Sequence, residues 1–265
     1  MSDDVFHQWA AASDAQAPAV GVPDELWAMA DVIASQASLG AALVDPGRAP
    51  TQRAGLVEGV FGGRASAQCV ALVGQAAGLE WASPADLEAG VRRMAVRTTW
   101  RVAEAQGAAD EVHGQVAQIA DAVLGDPALE LALNGAGTSP EHRRGVLEHL
   151  LGGKVHPLAL QLARFAVVDG PGNYVDAVEA NLDEASDLRG RQRVRATFAV
   201  APDATQRKRL ASELERIYGR GVDVEVHVDA RVIGGARLQI GGDVIDGSVA
   251  ARLDAARREM AAAQA

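Results

Sequence analysis

Arg189-Gly190-Arg191-Gln192-Arg193-Val194-Arg195-Ala196-Thr197-Phe198-Ala199-Val200 decides the fold, because the hydrophobic period changes within it. Before it, apolar residues recur at spacings of three and four. From Arg193 onward Val194, Ala196, Phe198 and Val200 alternate with Arg193, Arg195 and Thr197, the pattern of a strand with one buried face. The chain is therefore expected to be mostly α, with a small C-terminal α+β part. Downstream, Thr205 to Tyr218 carries Leu210, Leu214 and Ile217 on one helix face and stops at Gly219 or Gly221. Val222, Val224, Val226 and Val228 alternate with Asp223, Glu225 and His227 as a second strand. Ala236, Leu238 and Ile240 begin a hairpin, Gly241-Gly242 suits its tight turn, and Asp243-Val244-Ile245-Asp246 returns. Ser248 caps a final helix carrying Val249, Leu253 and Met260, so the order is β-α-β-β-α.

Working back from the switch, helices follow one another. Asp24 to Val44 reads as one helix with Leu26, Met29, Ala30, Ile33 and Ala37 on a face, stopped by Asp45-Pro46-Gly47. Ser83-Pro84 and Ser139-Pro140 are helix starts, Ser capping and Pro sitting where its missing N–H costs nothing. The first leads into Leu87–Ala105, with Gly90 as a place for a kink. In the second, Val146, Leu147, Leu150 and Leu151 line a face before Gly152-Gly153 ends it. Pro157 to Val168 and Asn173 to Leu188 are the last helices before the strands.

The helical part repeats itself at an offset of 90 residues. Ala30-Asp31 matches Ala120-Asp121, Leu39 matches Leu129, and Ala42-Leu43 matches Ala132-Leu133. Pro50, Arg53 and Glu58 match Pro140, Arg143 and Glu148, and Gly62-Gly63-Arg64 faces Gly152-Gly153-Lys154. Alanine and leucine matches are cheap in an alanine-rich chain, but Pro, Arg, Glu and Gly-Gly in one register point to a duplicated helical module.

Composition narrows the function. The chain has 265 residues, 48% of them hydrophobic and 4% aromatic, a core of small aliphatic side chains that suits close-packed helices. Its net charge of −10 is unevenly spread: residues 193–265 hold 12 basic and 10 acidic groups (+2), leaving 13 basic and 25 acidic groups (−12) in residues 1–192. That balance opposes a nucleic-acid function, which needs Lys and Arg against phosphates. It suits partners with basic surfaces, and equally a solvated acidic face. Cys69 lies alone in an apolar stretch and reads as a small core residue in a reducing compartment. The opening Ser2-Asp3-Asp4 is unlike a leader, and the longest uncharged stretch, Ala65 to Leu79, is short of the roughly 20 residues a spanning helix needs. No direct membrane insertion is expected.

Motifs for chemistry are poor. Gly153-Lys154 resembles the end of a phosphate loop, but Val155 stands where Ser or Thr is required and Glu148 where the first glycine belongs. Neither a dinucleotide Gly-x-Gly-x-x-Gly after a strand nor a Gly-x-Ser-x-Gly elbow is present. His142, His149 and His156 recur every seven residues, but Gly152-Gly153 separates the last two, so solvated or capping roles are favoured over metal binding. Asp243 and Asp246 could be paired carboxylates; turn and cap roles suffice for them. No catalytic, cofactor or metal residue is assigned.

The segment from Val228 to Leu253, a strand, Gly234-Gly235, a hairpin turning at Gly241-Gly242, then Ile245-Asp246-Gly247-Ser248-Val249 entering an Arg-Leu helix, resembles the C-terminal signature of the ATP synthase delta subunit family, which is similar to the mitochondrial oligomycin-sensitivity-conferring protein. The preceding helix and strand fit the family's order. The resemblance implies a helical module at 92–192 and a β-α-β-β-α domain at 193–265, with 1–91 an additional copy as in the longer delta subunits of actinobacteria. It implies a non-catalytic stator on the cytoplasmic face of the cell membrane. The bundle would grip N-terminal segments of the alpha subunits, and the C-terminal domain would hold the C-terminal end of the b subunit. Gly234, Gly235, Gly241, Gly242, Asp246, Gly247 and Ser248 are then expected to shape turns and a cap rather than touch partners. The competing readings are a small-ligand binder or enzyme using the C-terminal α/β domain near Asp246, and an RNA-binding module built on Arg193, Arg195, Arg207, Lys208 and Arg209.

Overall fold

The computed structural model describes residues 2–14, 17–135, 137–167, 173–229, 235–240 and 243–246. It divides into two compact units, Met1–Asn181 and Leu182–Ala265.

The first unit is helical: α1 (Ser2–Ser13), α2 (Val22–Ser35), α3 (Ala37–Val44), α4 (Pro50–Phe61), α5 (Ala67–Gly78), α6 (Pro84–Ala105), α7 (Ala109–Gly125), α8 (Pro127–Asn134), α9 (Pro140–Leu151), α10 (Pro157–Phe165) and the start of α11 (Tyr174–Leu188). Local chemistry sets these ends. Ser83 and Ser139 accept from the backbone N–H groups of Asp86 and His142, each with Pro at the first helical position. The 90-residue register holds in the elements as well as the letters. α3 and α4 coincide with α8 and α9 residue for residue, α5 and α10 start at 67 and 157, and α6 and α11 start at 84 and 174. Shifted by 90, α1 falls within α6, so α6 both ends one set of helices and opens the next.

The Gly-Gly pairs show why the repeat kept them. Gly62 and Gly152 lie at φ −55° and −53°, and a Cβ on either would stand 2.4 or 2.5 Å from the carbonyl oxygen of Glu58 or Glu148. Gly63 and Gly153 follow at φ 71° and 70°, a left-handed conformation that a side chain would strain. Arg64 and Lys154 then donate to the carbonyls of Phe61 and Leu151 at 2.9 Å, closing the same turn twice.

Two expectations for the helical unit change. Asp24 to Val44 is not one helix: it breaks at Gln36, and α2 and α3 bend by 103°. The turn lets Leu39 and Leu43 bury and brings Gly40 within close contact of Pro84, where a Cβ would meet the proline Cβ at 3.2 Å. Gly90, by contrast, interrupts nothing. α6 runs through it because the Trp81 ring packs where its Cβ would be, 2.4 Å away, and the lost propensity is offset by burying that ring.

The second unit carries β1 (Gln192–Phe198), α12 (Ala204–Tyr218), β2 (Val222–Val228), β3 (Ala236–Ile240) and β4 (Asp243–Asp246) in a sheet of order β2-β1-β3-β4. β1 pairs parallel with β2 across α12, and β3 lies antiparallel to β1 and to β4. The hairpin register sets Ile240 opposite Asp243. α12 begins with a reciprocal cap between Asp203 and Gln206 and ends at Gly219, φ 67°. Its Leu214 joins Val194, Val222 and Ile240 in a core against which Leu210, Val224 and Leu238 pack. Ile217 departs from expectation: it lies in the last turn outside that core, 63% exposed. β1 also departs from a one-sided strand, since Arg193 on its polar side is 4% exposed. The final helix expected from Ser248 lies outside the described residues.

Candidate functional site

Among the described residues, the side chains singled out for chemistry fall in the following places. Cys69 is fully buried in α5; burial pushes its thiol up to about 12, so it is no thiolate nucleophile near neutral pH. His142 and His149 are exposed on α9, whereas His156 caps α10 by accepting from the N–H of Leu158. Among the described residues no group of three His, Cys, Asp or Glu side chains is placed to hold a metal ion. Of the family-motif residues, Gly235 is exposed with φ 76°, which favours glycine, and Asp246 ends β4 opposite Arg237. Gly234, Gly241, Gly242, Gly247 and Ser248 lie outside the described residues.

The buried charge of the second unit is structural too. The Arg193 guanidinium donates twice to Glu225, at 2.9 and 2.5 Å, and once to Asp183 on α11 at 3.2 Å. Burial pushes the Asp183 carboxyl above its usual range despite that partner. Arg191 adds a bond to Asp223 at 2.5 Å. Arg193 is thus taken up by carboxylates, whereas Arg207, Lys208 and Arg209 stand exposed on α12.

The same accounting exposes contacts that sequence reading missed. The Ser66 N–H donates to the Glu25 carboxylate at 2.7 Å, and 90 residues later the His156 N–H donates to the Gln115 amide oxygen at 2.6 Å. Neither pair is an identity, so letter matching passed over both. The two sets of helices meet through a stack of Trp27 on Phe165, centroids 4.2 Å apart, with the Arg92 guanidinium 4.6 Å from the Trp27 ring. Asp14 draws Arg97 and Arg101 of α6 to the end of α1.

What the helical unit offers outward is apolar recesses between helices. One of about 790 Å³ lies between α4 and α5, lined by Ala54, Val70, Ala71 and Gly74 with Glu58 at its edge. A second, of about 180 Å³, lies among α7, α8 and α9, with Leu124, Leu131 and Leu150 exposed on those helices. Grooves between amphipathic helices accept partner helices through apolar anchors. A helical unit carrying such grooves, followed by a unit built on a small mixed sheet, defines a mostly α protein with a C-terminal α+β part.

Comparison with known proteins makes the class specific. The family model of the ATP synthase delta (OSCP) subunit matches residues 97–260. The chain is 34% identical over 249 residues to the "ATP synthase subunit delta" of Corynebacterium jeikeium, covering 94% of this chain and 92% of that one. It is 34% identical over 237 residues to the protein of the same name from Cutibacterium acnes, covering 89% and 90%. A chain in a cryo-EM structure of the Toxoplasma gondii mitochondrial ATP synthase hexamer is similar at 17% identity, covering 64% of this chain and 96% of that one with a TM-score of 0.36, too low to bear on the argument. The chain belongs to the ATP synthase delta (OSCP) subunit family.

Proposed function

We propose that this chain is the non-catalytic stator subunit of an F-type ATP synthase, tying the catalytic head to the peripheral stalk so that the head does not turn with the rotor. The observation that carries the reading is full-length kinship: relatives named for that subunit align over about nine-tenths of both chains. The architecture supports it. Such a linker needs no bond-making chemistry; it needs two binding surfaces on one chain, since joined contacts gain avidity without any single one being very tight.

In this reading the helical unit binds N-terminal segments of the alpha subunits, and the C-terminal unit binds the C-terminal end of the b subunit, all on the cytoplasmic face of the membrane. Residues 1–91 and 92–192 act as two copies of one module, with 193–265 as the second binding body. Gly234, Gly235, Gly241, Gly242, Asp246, Gly247 and Ser248 shape that body and do not meet the partner. Among the described residues no single helix is long and apolar enough to cross a membrane, which suits a peripheral position.

Calorimetry tests the partners. The full chain is titrated with a peptide of the alpha-subunit N-terminus and, separately, with a C-terminal fragment of b. Binding of both in the micromolar range or tighter is expected; absence of both contradicts the reading.

A further inference from the structure

We propose that the end of the second unit where α12 begins is a docking surface for an acidic segment of a partner polypeptide, an inference that rests on the adaptor reading above. β1 and β2 are parallel, so both finish at the same end of the sheet, and α12 starts there after the short loop 199–203. Val200 in that loop is 78% exposed, although the alternation along β1 marks it for the core. Val228, which closes β2 opposite Phe198, is 57% exposed. Arg207, Lys208 and Arg209 follow one another in the first two turns of α12, all three exposed. Aliphatic side chains bared beside a run of cations mark a surface that meets something other than water.

Folding does not ask for these cations. They sit toward the positive end of the helix macrodipole, and three like charges in succession repel. None has a hydrogen-bond or ion-pair partner among the described residues, whereas Arg191, Arg193, Arg216 and Arg220 of the same unit are all paired with carboxylates. The nearby acids are committed: Asp203 accepts from the Gln206 N–H, Glu213 holds Arg216 at 2.9 Å, and Asp229 has contacts of its own. Charge selects the occupant. Guanidinium groups take carboxylates in paired hydrogen bonds, and clusters of them recognise acidic motifs. Residues 247–265 of this chain do not supply such a motif, with Arg252, Arg257 and Arg258 against Asp254 and Glu259. An RNA strand needs rings to stack on, and Phe198 is the one Phe, Tyr or Trp in the four described strands. An anionic bilayer would meet Glu213 and Glu215 one turn further along the same helix, both exposed. A peptide carrying carboxylates around an apolar anchor fits Val200 and the cations together.

The test uses the full chain and two synthetic peptides of about 18 residues, long enough for several helical turns, that share the same leucines, one carrying Glu between them and one Lys. Anisotropy should show the Glu peptide binding and the Lys peptide failing, with affinity falling as salt rises. Arg207→Glu, Lys208→Glu and Arg209→Glu combined should weaken the Glu peptide about ten-fold or more, and Val200→Asp should weaken it as well. Arg209→Glu alone should cost about three-fold, whereas Arg216→Glu, the same change two turns further on, should leave binding unchanged. Taking cations out of the first turns relieves the dipole, so thermal melts should show the triple variant at least as stable as wild type, an outcome a merely structural role would not give. Glu-peptide binding indifferent to the triple change overturns the proposal. So does wild type that retains single-stranded RNA or phosphatidylglycerol vesicles in place of the peptide, or sedimentation showing a dimer that the triple change dissolves. Rebuilding complex stripped of this subunit separates the two claims. If wild type and the triple variant dissociate from it at the same rate, the surface falls and the adaptor stands; if wild type does not rebind, the adaptor role falls and the surface with it.

Discussion

Two stretches of this molecule, residues 22–78 and 112–165, use one helical plan and treat their outer seam differently. The first copy buries Leu39 and Phe61 and seals the seam; the second leaves Leu129 and Leu151 half-exposed along a groove. The turns and capping contacts between helices are shared: the Gly-Gly turn repeats in its angles, and the Glu25–Ser66 bond returns as Gln115–His156. A duplicated fold thus keeps its joints fixed and lets interhelical surfaces diverge, because the joints determine whether the helices pack at all.

Substitutions at matched positions break or sharpen that comparison. The largest effect is expected at the seam itself. Leu43→Ala should cost about 3–5 kcal/mol, and its counterpart Leu133→Ala, on the helix α8 that leaves Leu129 half-exposed, about 2–3 kcal/mol, because a cavity in a sealed site relaxes least. Denaturant midpoints measure both, and equal costs would erase the claimed asymmetry. Next come the shared joints. Gly62→Ala and Gly152→Ala each force a Cβ onto a carbonyl and should each lose about 1–3 kcal/mol, matching one another closely. A cost in one copy alone would show that the turns are not equivalent.

A smaller effect separates Glu25 from Gln115. Hydrogen bonds from Ser66 hold the Glu25 carboxyl below its usual range, so its stabilisation is present above the unfolded pKa and is lost as pH falls through the folded one. Glu25→Gln should flatten the acid side of the stability profile, and Gln115→Glu should steepen it. Unaltered acid unfolding curves would show these bonds to be incidental. Smallest in energy is Leu131→Ala, an exposed position expected to change stability by less than about 0.5 kcal/mol despite lying two residues from buried Leu133.

Much of this was legible in the letters. The period change at Arg193, the Ser-Pro helix starts and the 90-residue register each express local chemistry, and each appears where expected. What escaped was set by contacts far apart in sequence. The break at Gln36 answers to Pro84, the burial of Arg193 answers to Asp183 and Glu225, and the exposure of Ile217 answers to where the core beneath α12 ends. The candidate surfaces were least legible, because a leucine stripe has the same spacing whether it faces a core or a partner.

The central claim, that the chain transmits force and converts no substrate, is tested most directly by removing and restoring it in energised membrane vesicles. Stripped vesicles should lose proton-driven ATP synthesis and regain it when the purified chain is added, while the detached head hydrolyses ATP equally well with or without it. Synthesis that survives the stripping, or hydrolysis by the isolated head that depends on the chain, would contradict the account.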